Sequence, residues 1–253
     1  MSQMALTLEG LAVDFSGFRA VDGVSLAVEQ GELRVLLGAN GAGKTTLMDL
    51  ISGKTRSTEG RVLIHGRDVT NQREHKIAQA GVGRKFQIPS VFSGLTVQQN
   101  LEVAQSAKPS VFDNLRFGLG AQERARLAEV LALIGLEGEA DLEAGYLSHG
   151  QTQWLELGML MIQNASVILL DEPTAGMTQA ETAKTAEIIN RLKGRHTLLV
   201  VEHDMAFVRD IAERITVLHL GRVLAEGSVA FIEGHPEVKA AYLGKQGISE
   251  CSN

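Results

Sequence analysis

A chain of 253 residues, 44% hydrophobic and 21% charged, is long enough for one α/β domain with an appended subdomain, or for two small domains, around a sizeable core. The net charge of −6 argues against a broad basic surface for nucleic acid, and the single cysteine, Cys251, can form no internal disulfide. No apolar stretch approaches the roughly eighteen residues of a membrane span, and the first residues lack a basic-then-apolar signal pattern, so a cytoplasmic location is expected.

In chain order, Ala5–Leu8, Leu11–Val13 and Val24–Val28 read as short strands of an antiparallel layer, separated by Gly10, Ser16-Gly17 and Gly23. Phe15 and Phe18 fall in a turn of this layer, where either ring could fill the core or stack on a nucleobase. The apolar run Leu33–Leu37 then leads into Gly38-Ala39-Asn40-Gly41-Ala42-Gly43-Lys44-Thr45, followed by Thr46 and a helical stretch to Ile51. This is the phosphate-binding loop pattern in its strand-loop-helix context. Its glycines let backbone N–H groups converge on a polyphosphate, with the helix dipole behind them. Lys44 is expected to reach the β- and γ-phosphates, and the Thr45 hydroxyl to ligate Mg²⁺.

Gly60–Gly66 reads as another strand, and Gly81–Gln87 as one more that stops at Ile88-Pro89, leaving Gln87 at a strand end. From Leu95 to about Gln163 the pattern is helical. Leu127, Val130, Leu131 and Ile134 recur at helical spacing, and Ala107–Gly120 reads as a loop. Leu147-Ser148-His149-Gly150-Gln151 opens a largely buried helix with Ser148 as its N-cap, either a plain cap or a second phosphate site. Val167–Leu170 is a buried strand ending in Asp171-Glu172-Pro173. Thr178-Gln179-Ala180-Glu181 is a capping box opening a helix to about Lys193. Thr197–Glu202 is a further buried strand with His203-Asp204 at its end, and Ile215–Leu220 with Val223–Ala225 predicts a closing hairpin.

Carboxylates at the ends of parallel strands stand where ligands gather. Beside a phosphate loop, Asp171 can hold Mg²⁺, Glu172 can polarise a water for attack on a γ-phosphate, and His203 can bond that phosphate. ATP hydrolysis is the reaction these positions suggest. The expected organisation is α/β, with a core over residues 1–93 and 166–253 and an inserted α-helical subdomain over 94–165.

In the order phosphate loop, Gln87, Leu-Ser-x-Gly-Gln, Asp-Glu-Pro and His203, the chain resembles the ATP-binding cassette (ABC) ATPase family along nearly its whole length. The resemblance implies a P-loop NTPase core with ATP and Mg²⁺ as cofactors. It implies Phe15 stacking on adenine, Gln87 sensing metal and γ-phosphate, Lys44 on the phosphates, Glu172 as catalytic base and His203 as switch. It further implies that a second cassette, identical or homologous, packs head to tail, so that Ser148, Gly150 and Gln151 of one close on ATP held by the other. Membrane permease subunits and, indirectly, an extracytoplasmic solute-binding protein complete the expected partners, with the chain peripheral on the cytoplasmic face. His149 stands where the family signature has Gly, and Thr174–Thr178 lacks the usual Asp. Both departures are similar to the branch serving branched-chain amino acid importers, and within it Gly83–Gln87, Trp154-Leu155-Glu156 and Ala175–Thr178 look most like urea importer subunits. Urea is thus the expected solute, with branched-chain or other amino acids as the alternative. A soluble relative acting on DNA or the ribosome is the rival class, and a small-molecule kinase a third.

Overall fold

The computed structural model describes residues 3–85, 91–105 and 120–243. Gln87, most of the expected loop Ala107–Gly120, and Cys251 lie outside the described residues. Two compact units divide the chain: Met1–Arg84 with Ser166–Pro173 and Leu192–Asn253, and Lys85–Ala165 with Thr174–Arg191. The helical unit thus takes in 85–93 and Thr174–Arg191 in addition to the expected insert 94–165.

In the first unit, β1 (Met4–Phe15), β2 (Phe18–Glu29), β4 (Glu59–Ile64) and β5 (Arg67–Asp68) form an antiparallel sheet in the order β2-β1-β4-β5. The sequence suggests breaks at Gly10 and Gly23, yet both strands run through them. Each glycine adopts a positive φ, 55° and 69°, and the β1–β2 register slips between Leu8 and Leu11. A bulge absorbs the turn-like residue without ending the ladder.

A second sheet carries β3 (Leu33–Gly38), β6 (Val82–Lys85), β7 (Val167–Asp171), β8 (Thr197–Val201), β9 (Arg214–His219) and β10 (Arg222–Gly227), in the order β10-β9-β3-β8-β7-β6. β3 runs parallel to both β8 and β9, with Leu33 opposite Leu198 and Val35 opposite Ile215. β3, β7 and β8 are buried at every position, as their unbroken apolar runs require. Their carboxyl ends consequently point the same way, which gathers Gly38, Asp171 and Val201 at one edge. Leu220 and Gly221, both at positive φ, make the tight turn of the β9–β10 hairpin.

Between the sheets, Leu6, Leu8, Val28, Leu36, Leu169 and Leu199 pack with Leu47, Met48 and Ile51 of α1 (Lys44–Ser52), the helix after the phosphate loop, and with Ile77 of α2 (Glu74–Gln79). The charge of Arg34 is fully buried here. Arg34 on β3 bonds Glu32 and Glu226, each at 2.7 Å, with Thr216 Oγ1 at 2.9 Å and the Ala27 carbonyl at 3.1 Å.

The second unit is built from α3 (Val97–Gln105), α4 (Ala121–Ile134), α5 (His149–Ile162) and most of α6 (Gln179–Leu192). Leu127, Val130, Leu131 and Ile134 form the buried stripe of α4, as their spacing predicts. Gly158 lets α5 approach closely, because a Cβ there would meet Ile134, Val130 and Leu101. Trp154 Nε1 donates to Thr185 Oγ1 at 2.9 Å, with Lys184 Nζ 4.5 Å from the indole centre, so α5 and α6 are pinned by one buried polar contact.

Candidate functional site

The phosphate loop leaves the fully buried β3 at Gly38 and enters α1 at Lys44. Two of its glycines are demanded by neighbouring backbone. A Cβ on Gly43 would lie 2.4 Å from the Ala20 carbonyl, at a φ of 100°, and one on Gly38 would lie 2.7 Å from the Leu218 carbonyl. Ala39, Asn40, Gly41, Ala42, Thr45 and Thr46 complete the wrap, with Asn40, Gly41 and Thr45 exposed. Lys44 is only 7% exposed and donates from Nζ to the Gly38 and Ala39 carbonyls at 2.6 and 3.1 Å. Burial pushes its pKa down, opposed by the charges of Glu172 and Asp171, so the ammonium already lies in the field of both carboxylates.

Asp171 and Glu172 occupy different surroundings. The Asp171 side chain is 3% exposed, whereas that of Glu172 is 34% exposed. Burial raises the Asp171 pKa, with Arg84 and Thr45 pulling the other way, and its buried Oδ2 accepts no hydrogen bond. Arg84 stands 3.8 Å from that oxygen and ties it to α1, through Asp49 Oδ1 at 2.5 Å and Ser52 Oγ at 2.8 Å. Glu172 has a left-handed backbone at φ 46°, fixed by its N–H donating to the Val201 carbonyl at 3.0 Å. This conformation is costly for a residue with a side chain, and such residues cluster at functional sites. His203 Nδ1 stands 3.5 Å from Glu172 Oε1, and the His203 N–H donates to the buried Glu202 carboxylate at 3.1 Å. Phosphate loop, Asp171, Glu172 and His203 are therefore assembled within the first unit.

A magnesium ion fits what these residues offer: a dry carboxylate oxygen without a hydrogen bond, next to a Thr hydroxyl. Among the described residues no group of three His, Cys, Asp or Glu side chains could cage a metal by itself. A cation here would complete its shell with phosphate oxygens and water, as Mg²⁺ commonly does.

Phe15 and Phe18 pair across the end of the β1–β2 hairpin and are 49% and 66% exposed. Neither fills the core, which leaves a ring face available for stacking.

In the helical unit, Ser148 N-caps α5. Its Oγ accepts from the Gln151 N–H at 3.2 Å, and Gln151 Oε1 accepts from the Ser148 N–H at 2.9 Å. The Gln151 amide then donates to Glu139 at 3.1 Å, so its polar atoms are spent on the local frame. The His149 ring reaches the Ala175 carbonyl at 3.1 Å, outside the cap itself. Ser148 Oγ and the Gly150 N–H both turn toward Glu181.

Sequence reasoning missed Arg84, Asp49 and this reach of Glu181. Arg84 lies on β6, and nothing in its local sequence marks it as a partner of Asp171. Glu181 was visible only as the last residue of a capping box.

The ABC transporter family model matches residues 21–175. The chain is 37% identical to the high-affinity branched-chain amino acid transport ATP-binding protein LivG of Salmonella typhimurium, over 97% of this chain and 100% of that protein. BraF of Pseudomonas aeruginosa, of the same description, is 35% identical over the same shares. Among solved structures, the ADP conformation of MJ1267, an ATP-binding cassette of an ABC transporter, superposes with a TM-score of 0.84 at 28% identity, covering 96% of this chain and 100% of that one. A dimeric post-hydrolysis state of the cassette MJ0796, bound to ADP and Pi, gives 0.73 at 26% identity over 88% and 98%.

Proposed function

The chain belongs to the ABC transporter family and is an ATP-hydrolysing cassette, and from that premise we propose that it energises import of branched-chain or other amino acids. The observation that carries the hydrolytic part of the reading is the meeting of phosphate loop, buried Asp171 and part-exposed Glu172 at one sheet edge. The names of LivG and BraF favour amino acids over the urea that the motif likeness suggests, and urea stands as the second reading. No helix among the described residues is long and apolar enough to cross a membrane. In this reading permease subunits supply the path.

In this reading Phe15 stacks on adenine, and the loop from Gly38 to Thr46 wraps the phosphates through its N–H groups. Lys44 swings from the Gly38 and Ala39 carbonyls to the β- and γ-phosphates. Thr45, Asp171 and Gln87 would hold Mg²⁺, which neutralises phosphate charge when bound. Glu172 takes a proton from the attacking water, and His203 orients the γ-phosphate from the neighbouring strand end. Two cassettes, identical or homologous, pair head to tail so that Ser148 and Gly150 of one face the ATP of the other, as the dimeric MJ0796 cassette makes plausible by analogy. Pairing and release then drive the permeases on the cytoplasmic face.

Uptake of labelled leucine and labelled urea by cells lacking the chain, with and without its restoration, is the deciding measurement. Restored leucine uptake with unchanged urea uptake supports the proposal, and the reverse result moves the assignment to urea. Restoration of neither, with ATPase activity stimulated by nucleic acid or ribosomes, would sink the transport reading.

A further inference from the structure

The N-terminus of α5 already holds an anion, and that anion is part of the chain. Ser148 Oγ donates to Glu181 Oε1 at 3.0 Å, and the Gly150 N–H points at the same oxygen at 3.3 Å. The other oxygen accepts the Thr178 N–H at 3.0 Å and the Thr178 hydroxyl at 2.9 Å. A Cβ on Gly150 would lie 2.6 Å from Oε1, so the carboxylate approaches the helix more closely than any side chain at that position would allow. These donors, the Thr178 N–H foremost, then the Thr178 and Ser148 side chains, hold the Glu181 pKa below the ordinary glutamate range. All four residues belong to the helical unit.

A hydroxyl carries one proton to donate and a backbone amide one, and both are directed at Oε1. A phosphate oxygen arriving at Ser148 and Gly150 must therefore displace the carboxylate, and two anions a few ångströms apart repel. We propose that Glu181 is a positioning residue for ATP hydrolysis: it fills the cradle of Ser148 and Gly150 in the open cassette and yields both donors to the γ-phosphate of ATP on a paired cassette. The proposal rests on the head-to-tail pairing described above. While the cradle is open, Glu181 keeps the two donors aligned and neutralises the helix end. On closure it is a competitor, so it sets the ATP concentration at which the pair closes.

Glu181→Gln tests this, because Gln at the same position still serves a capping box while the negative charge is gone. In the transporter complex purified from membranes with its own cassette and permease partners, ATPase activity is measured against ATP concentration. The expected result is a KM lowered about three- to tenfold with kcat changed far less, a shift within the range usual for one coupled contact. Because Glu181 acts through Ser148, the same substitution in a Ser148→Ala background should lose most of that gain, whereas a general loss of stability would move both backgrounds alike. A KM that is unchanged or raised in Glu181→Gln, or a gain of equal size in both backgrounds, overturns the proposal. Failure of the pairing itself shows separately: specific ATPase activity of the unsubstituted chain would then be indifferent to dilution and to added partner cassette.

Discussion

Asp171 and Glu172 are adjacent in the chain, yet one carboxylate is dry and the other faces water, and their expected responses to substitution differ for that reason. Glu172→Gln should leave ATP binding intact and lower turnover by roughly 10²–10⁴, the usual contribution of a positioned general base. Nucleotide-binding titration beside steady-state ATPase checks it, and near-normal hydrolysis would remove Glu172 from that role. Asp171 answers to pH. Burial raises its folded pKa, so its contribution to stability is fully present below the unfolded carboxylate pKa and is lost as pH rises through the folded one. At neutral pH without nucleotide the ionised side chain is thus a liability. Asp171→Asn should melt above the parent at pH 7, the gap closing as pH falls into the carboxylate range, while the stabilisation by Mg²⁺-ATP disappears. Thermal melts across a pH series, with and without Mg²⁺-ATP, provide the comparison. Both carboxylates were legible in the sequence because each follows a strand with no polar interruption. Arg84 was not, since its value depends on Asp49 and Asp171 arriving from α1 and β7, which no local pattern in Gly81–Gln87 announces.

Elements were read well where periodicity had a single meaning and less well where a glycine had two. The stripe Leu127, Val130, Leu131 and Ile134 could only be one face of a helix, and it is. Gly10 and Gly23 looked like ends of strands and are bulges within them, because the β1–β2 ladder, joined for Gly10 by the β1–β4 ladder, outweighs a local preference for turning. Two elements invite direct tests. Trp154→Phe removes the donor that α5 offers to Thr185 in a buried setting and should cost about 1–3 kcal/mol in chemical unfolding, with the helix content retained. Arg34→Met on β3 would leave Glu32 and Glu226 without their shared cation. Removal of one partner from a buried charge cluster typically costs about 3–5 kcal/mol, and the partial exposure of Glu226 places the expected loss near ~3 kcal/mol. A loss of unfolding free energy, from denaturant midpoint and m-value, of less than a third of that would mean the remaining groups are well hydrated.

For the whole molecule, the composite ATP site proposed above would make activity a property of pairs. Specific ATPase activity should rise with protein concentration or with added partner, and turnover by a proven monomer that ignores dilution would count heavily against pairing. The topology of the first unit carries a separate consequence, for the order in which the protein is made. β3, which delivers the phosphate loop, has β8 and β9 as its ladder neighbours, and the pairs Leu33–Leu198 and Gly38–Leu218 join residues emitted far apart during translation. The loop leaves the ribosome early but has no sheet to stand on until nearly the whole chain has followed. Nascent chains halted before Thr197 should therefore fail to retain nucleotide, and those halted after the β9–β10 hairpin has emerged should hold it: the first motif to be synthesised is among the last to become functional.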